Sequence, residues 1–171
     1  MQFGLAAGPL PSGLLYAAPI QAACIAANFS PVAAYCVAMR ETIRGQIEGQ
    51  WNALTIVAED NGKGLFQVTQ EDWWTEEMIA EWTAIDFTDP HANAAYALKW
   101  FLVPALQFWA GQIGLTGDAL LKCVADEFNA GRNAVIKAHA LGNADAATTE
   151  HDYGSDIVAN YHRIEAGLAP Q

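Results

Sequence analysis

Apolar residues recur at intervals of three and four along most of the chain, a period typical of amphipathic helices. The clearest example runs from Pro31 to about Arg44, because Ser30 can cap the first turn and proline suits the first helical position. One face of this helix is predicted to be buried and consists of Val32, Tyr35, Cys36, Met39 and Ile43.

The same period, together with the usual start and stop signals, predicts the remaining helices. Asp89-Pro90 opens a long apolar helix that reaches about Ile113, and Pro104 is expected to kink it. Glycines follow two further helices and are expected to end them. The other predicted ranges are 19–27, 75–84, 117–128, 133–140 and 155–166. The small and polar residues 143–149 are typical of a surface loop.

Strand signals are few. The run Leu54 to Val57 predicts a strand or hairpin arm, which the turn signal Asp60-Asn61-Gly62 would end. Leu65 to Val68 is a second short apolar segment. Residues 1–16 carry glycine and proline at short intervals, which favours an extended apolar arm before a single domain at 17–171. The fold class is therefore mainly α, with a short β-hairpin or irregular arm.

Composition agrees with one compact domain, since 53% of the 171 residues are hydrophobic and 16% are charged. The formal net charge of -11 argues against nucleic acid as a partner. No positive residue precedes Arg40, so no signal peptide is predicted, and no apolar run is long enough to span a membrane. The three cysteines lie in apolar contexts and are expected to be buried free thiols.

Three short motifs could carry chemistry, although each has a purely structural interpretation. Glu41 ends an apolar helix, where desolvation would raise its pKa, or it pairs with Arg44 in solvent. Gly64-Leu65-Phe66-Gln67 could bring backbone close to a ligand, or form a hairpin turn. Glu127-Phe128-Asn129-Ala130-Gly131 could equally be a helix end capped by glycine.

In this order and at this spacing, the motifs resemble the lysozyme-like superfamily of lytic transglycosylases and goose-type lysozymes. Glu41-Thr42 is similar to its Glu-Ser, with threonine in place of serine. Gly64-Leu65-Phe66-Gln67 is similar to Gly-Leu-Met-Gln. Phe128-Asn129-Ala130-Gly131 is similar to Tyr-Asn-Ala-Gly, with phenylalanine replacing tyrosine, and Tyr153 matches a late tyrosine. The resemblance covers roughly residues 19–166 and implies an α+β lysozyme-like fold.

The resemblance implies a peptidoglycan-degrading enzyme that cleaves the β-1,4 bond between N-acetylmuramic acid and N-acetylglucosamine. Glu41 would be the general acid and base, Asn129 would contact a sugar N-acetyl group, and Tyr153 would orient Glu41. The other substrate-binding residues implied are Gly64, Leu65, Phe66 and Gln67. With the substrate's own N-acetyl group assisting, the product would be a 1,6-anhydro sugar.

A hydrolytic goose-type muramidase is the nearest alternative, with Asp60 as the possible second carboxylate. Thr69 stands where some goose-type members carry aspartate, which favours the transglycosylase. Another alternative is a catalytically inactive structural module of a virion. A Cys-His peptidase using Cys24 or Cys36 is disfavoured because neither has the electropositive setting of a nucleophile. No cofactor is expected, and no metal, since the histidines form no HExxH motif.

Side chains outside the motifs add to the picture. Trp100 and Trp109 are expected in the core, and Trp73-Trp74 is the better candidate for stacking on sugar rings. Helical spacing directs Arg40 away from Glu41 and leaves the direction of Arg44 open.

The acidic charge, the apolar arm and the missing signal peptide together favour a bacteriophage virion lysin, for instance in the tail, over a free endolysin. Such a protein is made in the host cytoplasm and acts in the periplasm or cell wall. Its expected partners are peptidoglycan glycan strands and virion proteins bound through residues 1–16.

Overall fold

The computed structural model describes residues 5, 8–55 and 61–171, and this part of the chain is mainly helical. Its α-helices are α1 (Ala17–Ala27), α2 (Pro31–Ala38), α3 (Arg44–Ile47), α4 (Glu76–Ala84), α5 (Pro90–Ala97), α6 (Val103–Gln107), α7 (Gly117–Ala130), α8 (Arg132–Ala140) and α9 (Tyr153–Glu165). Every predicted helix is present, with ends that differ from prediction by no more than three residues.

Helices α2 and α3 form one continuous element, because the π-helical turn Met39–Ile43 joins them. The side chain of Ser30 accepts a hydrogen bond from the backbone N–H of Ala33 at 3.3 Å, which confirms the predicted N-cap. The predicted buried face is buried, but so is every other residue of α2, since it packs between α1 and α9.

The long helix over 90–113 is also interrupted by π-helical turns, at Leu98–Leu102 and Phe108–Ile113. Asp89 caps it, accepting a hydrogen bond from the N–H of His91 at 2.8 Å. Pro104 lies just beyond the first π turn. A proline has no N–H to donate, so the irregularity expected there takes the form of a widened turn before it.

Regular strands are missing from the described residues, where the only pairing of this kind is an isolated antiparallel bridge between Lys63 and Val68. Leu54 and Thr55 lie in a turn, so these two do not form the predicted strand. The rest of that run, Ile56 and Val57, and the possible second carboxylate Asp60 lie outside the described residues.

The N-terminal segment packs on the rest of the domain where the structure describes it. Leu5 and Leu10 are buried in the same apolar cluster as the helices. The N–H of Leu10 donates to the side-chain oxygen of Gln21 at 2.9 Å, and the hydroxyl of Tyr16 donates to Gln46 at 2.9 Å. These contacts hold the segment against the domain.

The expectation of a surface loop at 143–149 is wrong. Ala144–Ala147 is a 3-10 turn packed against α7 and α8, and Ala144, Asp145 and Thr148 are buried. Small side chains allow this close approach to neighbouring helices. The cysteines are buried free thiols, as predicted. In the described part of the chain, no helix is both long and apolar enough to cross a membrane.

Candidate active site

Glu41 lies in the π-helical turn Met39–Ile43 and is half-buried. A π turn inserts an extra residue into the helix, which widens it and changes the direction of its side chains; such turns are frequent at functional sites. One carboxylate oxygen of Glu41, Oε1, accepts a short hydrogen bond from the hydroxyl of Tyr153. The structure thus brings together two residues that the sequence motifs had singled out separately.

Tyr153 is the first residue of α9 and is only 5% exposed. Burial, reinforced by the negative charge of Glu41, raises the pKa of Tyr153 well above its ordinary value. The phenol therefore keeps its proton and acts as the donor to Glu41. Because both side chains are held by helices, the bond fixes the orientation of the Glu41 carboxyl group.

The two arginines next to Glu41 in sequence are paired with other carboxylates. Arg44 donates to both oxygens of Asp156, at 2.9 and 3.2 Å. Arg40 donates to Asp152 at 2.9 Å and also bonds Glu150, and its guanidinium lies 5.7 Å from the ring centre of Tyr153.

The expectation that Arg40 points away from Glu41 is not met, since both line one small cavity. The π turn changes the angular spacing between the two residues, which an α-helical period does not anticipate.

The motif Gly64-Leu65-Phe66-Gln67 forms a tight turn beside Glu41. Gly64 has a φ of +70°, and a Cβ there would lie 2.6 Å from both the backbone oxygen of Phe87 and the amide nitrogen of Asn93. Only glycine fits this position without displacing its neighbours. Gln67 also has a positive φ, 45°, and its side chain donates to the carbonyl of Gly64 at 2.8 Å.

Two buried polar side chains fasten this turn to the helices. The hydroxyl of Thr42 donates to the carbonyl of Leu65 at 2.7 Å. The side chain of Asn93 accepts from the N–H of Phe66 at 2.9 Å and donates to the carbonyl of Lys63 at 3.2 Å. Sequence reasoning missed Asn93, which is fully buried. The available signal was a single amide on the otherwise apolar face of α5 that also carries Ala94 and Ala97.

A groove runs past Glu41 and consists of three cavities that share lining residues. The central cavity, about 670 Å³, joins one of about 590 Å³ through Trp73, Phe101 and Phe128. It joins a smaller one of about 270 Å³ through Glu41 and Asn129. Glu41 thus lines both the central cavity and the smaller one. The remaining residues lining the central cavity are Trp51, Gln67, Val68, Thr69, Glu71, Glu127, Ala130 and Gly131.

Exposed indole rings line this groove. Trp73 is 63% exposed, whereas Trp74 is buried, so the predicted stacking pair contributes one ring to the groove. Trp51 is 39% exposed and is held by a hydrogen bond from its ring nitrogen to the carbonyl of Thr42 at 3.0 Å. Trp109 is in the core as predicted, while Trp100 is half-buried and lines the 590 Å³ cavity.

Glu127 is a second carboxylate at the groove, and its side chain is 11% exposed. One oxygen accepts from the ring N–H of Trp109 at 2.8 Å, and the other accepts from Arg132 at 2.7 and 3.0 Å. Hydrogen bonds to both oxygens fix the carboxyl group in place. Glu127 therefore anchors the end of α7, next to Phe128 and Asn129.

Of the residues predicted for the site, Glu41, Gln67 and Asn129 line the central cavity, and Tyr153, which bonds Glu41, lines the smaller cavity. Gly64, Leu65 and Phe66 are buried beneath it and hold Gln67 in place. Phe128 makes edge-to-face contacts with Phe66 and Phe101, at 6.4 and 5.9 Å between ring centres.

The thiols have surroundings that oppose nucleophilic chemistry. Burial raises the pKa of Cys24 to about 12 and that of Cys36 further still. Cys123 lies 3.6 Å from a ring nitrogen of His139, yet burial raises its pKa to about 12 as well. Within the described residues, no group of histidine, cysteine or acidic side chains could hold a metal ion.

No family model, no curated protein and no solved structure matches the chain.

Proposed function

We propose that this protein is a lytic transglycosylase of the lysozyme-like fold that cleaves the glycan strands of peptidoglycan, with Glu41 as general acid and base. The observation that carries the proposal is the convergence of distant sequence motifs on one groove. Glu41, Gln67 and Asn129 line its central cavity, and Tyr153 bonds the Glu41 carboxylate.

The character of the groove suits an uncharged sugar polymer. Among the described residues that line the central cavity there is no lysine, arginine or histidine. The arginines of the two flanking cavities, Arg40 and Arg132, are paired with carboxylates, which leaves little positive charge to attract phosphate. Trp51 and Trp73 offer exposed ring faces on which sugars can stack. Gln67 and Asn129 offer amide groups, which match the hydroxyl and N-acetyl groups of amino sugars.

In the proposed reaction, Glu41 first donates its proton to the glycosidic oxygen, and the bond from that oxygen to the anomeric carbon breaks. The carbonyl oxygen of the neighbouring N-acetyl group bonds the anomeric carbon and forms a cyclic oxazolinium ion. The Glu41 carboxylate then takes the proton of the sugar 6-hydroxyl, whose oxygen attacks the anomeric carbon. The oxazolinium ring opens, the 1,6-anhydro product forms, and Glu41 is protonated again.

The hydrolytic alternative needs a group that positions water on the far side of the sugar. Thr69 lines the central cavity where some goose-type lysozymes carry aspartate, and a hydroxyl is a weaker base than a carboxylate. This difference favours the intramolecular 6-hydroxyl as the nucleophile. We further propose that the enzyme is a bacteriophage virion lysin, on the grounds of its acidic charge. The described part of the N-terminal segment packs on the domain itself, so the apolar residues Leu5 and Leu10 are not part of this argument.

The test compares wild-type protein with Glu41→Gln on purified peptidoglycan, with mass spectrometry of the released muropeptides. Glu48→Gln is the matched control, since Glu48 is an exposed acid at the end of the same helix. Anhydro products from wild type and the control, but not from Glu41→Gln, would support the proposal. Reducing-end products would replace it with the hydrolase, and peptide cleavage or no product from folded wild type would overturn it.

A further inference from the structure

Two buried carboxyl groups lie behind the start of α9, away from the groove. Asp126 in α7 is 0% exposed, and Asp145 in the 3-10 turn Ala144–Ala147 is 3% exposed. Neither is among the described residues that line the cavities around Glu41. Burying a carboxyl group is costly unless hydrogen bonds or a counter-charge compensate for it. The groups around the pair should therefore include donors or a cation that compensate for its burial.

The pair holds the first turn of α9. Asp126 and Asp145 each accept a hydrogen bond from the same backbone N–H, that of Gly154, at 2.8 Å. Asp145 also accepts from the N–H of Ser155 at 3.2 Å and from its hydroxyl. The residue preceding α9, Asp152, makes no capping bond of its own within the described structure. Carboxyl groups from two other elements thus satisfy the N–H groups at the start of α9.

Gly154 makes this close approach possible. A Cβ at this position would lie 2.6 Å from Oδ1 of Asp126 and 2.8 Å from the backbone oxygen of Lys122. A side chain here would force α9 away from α7. Because Tyr153 directly precedes Gly154, the position of its phenol depends on the contact between Gly154 and the two carboxyl groups.

We propose that Asp126 and Asp145 are positioning residues for the reaction, which hold the first turn of α9 so that the hydroxyl of Tyr153 meets Glu41. This inference rests on the proposed role of Glu41 for its effect on catalysis. Its structural part, the control of Tyr153 by the two carboxyl groups, does not. The two parts can therefore fail separately.

The charge of the pair gives the arrangement a pH dependence. The charged and titratable groups that face it are Lys122 and Cys123 from α7 and Tyr153 from α9. Cys123 is neutral, since burial raises its pKa to about 12, and Tyr153 is neutral for the same reason. Lys122 is the cation among these groups, and it pairs with Asp145 at 2.5 Å. His139 from α8 contacts Cys123 and not the pair.

The pair therefore holds one proton below about pH 7 and loses it as the pH rises. Burial, together with the negative charge of Asp145, raises the pKa of Asp126 to about 7. Burial alone would also raise the pKa of Asp145, but hydrogen bonds from Lys122 and Ser155 outweigh it and lower the value. Above pH 7 a second negative charge develops beside Gly154 without a second cation. We expect the start of α9 to shift and the hydrogen bond from the Tyr153 hydroxyl to Glu41 to weaken.

The structural part is tested by NMR of protein carrying 13C-labelled tyrosine, in a Glu41→Gln background so that Glu41 itself cannot titrate. The resonance of Tyr153 is identified by its loss in Tyr153→Phe. We expect it to shift with a midpoint near pH 7, and to lose this shift in Asp126→Asn, which keeps the size and an acceptor oxygen. Glu48→Gln, the exposed acid at the end of α3, is the control and should keep the shift.

The catalytic part is tested by the pH profile of kcat/KM on peptidoglycan. We expect wild type to lose activity above pH 7 and Asp126→Asn to keep it, while Asp145→Asn lowers kcat about tenfold or more with little change in KM. An unshifted Tyr153 resonance in wild type, or an unchanged shift in Asp126→Asn, would overturn the inference. If the resonance behaves as expected but wild type releases no product, the proposed function fails and the positioning of Tyr153 remains.

Discussion

The hydroxyl of Tyr153 donates a hydrogen bond to Oε1 of Glu41 across 112 positions of the sequence. The bond joins the first turn of α9 to the π turn Met39–Ile43, so the orientation of the candidate acid depends on the packing of two helices. Since the pKa of Tyr153 is raised well above its ordinary value, the direction of the bond does not change in neutral solution. The Glu41 carboxyl group is thereby prepared before substrate binds.

Tyr153→Phe should lower kcat about ten- to a hundredfold, because a hydrogen bond to a charged group contributes about 1.5–3 kcal/mol. KM should change less than twofold, since Tyr153 is only 5% exposed at the edge of the groove. Muropeptide release measured over a range of substrate concentrations separates the two constants. Tyr16→Phe is the matched control, because it also loses a tyrosine hydrogen bond, to Gln46. A Tyr153→Phe enzyme with wild-type kcat would show that the bond has no catalytic role.

Thr42→Val should both destabilise the protein and lower its activity, because the hydroxyl of Thr42 holds the turn that carries Gln67 through the carbonyl of Leu65. The loss of this buried hydrogen bond should cost about 1 kcal/mol in the free energy of unfolding, measured by urea denaturation. Thr42→Ser keeps the hydroxyl, and its kcat/KM should remain near wild type. Equal activity of the valine and serine variants would contradict the role assigned to the hydroxyl.

The sequence predicted the helices well because their ends carry local signals. Ser30 and Asp89 cap their helices as expected, since capping depends on residues within one turn. The motif residues Glu41, Gln67 and Asn129 were likewise found, because each lies in a short recognisable pattern and the three line one cavity.

Features that depend on distant partners could not be predicted in this way. Asp145 lies in a segment of small and polar residues, and only its contact with α9 explains its burial. Asn93 is a single amide on a helix, and its role depends on a turn about 30 positions earlier in the sequence. The π turn at Met39–Ile43 leaves the apolar period nearly intact, so an α-helical pattern conceals it.

Trp73→Ala should weaken binding to the glycan without unfolding the protein, since its ring is 63% exposed in the groove. We expect KM to rise about fivefold or more, as stacking on an aromatic ring contributes about 1 kcal/mol or more. The neighbouring Trp74 is buried, and Trp74→Ala should instead lower the free energy of unfolding by about 3–5 kcal/mol. Binding to insoluble peptidoglycan and urea denaturation measure the two effects. Trp73→Ala protein that binds like wild type would exclude Trp73 from the substrate site.

The stability of the protein should depend on pH through Asp126, and the direction follows from linkage. Its pKa is about 7 in the folded protein and near 3.8 when unfolded, so between these values the folded state holds a proton that the unfolded state has released. The stabilisation that Asp126 contributes is therefore complete below about pH 4 and is lost as pH rises through 7. Asp145, whose pKa is lowered, acts in the opposite direction at acid pH.

Asp126→Asn removes this titration, so its free energy of unfolding relative to wild type should become more favourable as pH rises from 4 to 8. Urea denaturation at several pH values measures this difference, and Glu48→Gln, at the exposed end of α3, serves as the control. Asp145 is present in both wild type and variant, so most of its own pH dependence cancels in the comparison. A difference that stays constant between pH 4 and 8 would mean that Asp126 ionises normally. The buried pair would then carry two charges in neutral solution, and Lys122 together with the N–H of Gly154 would have to balance both.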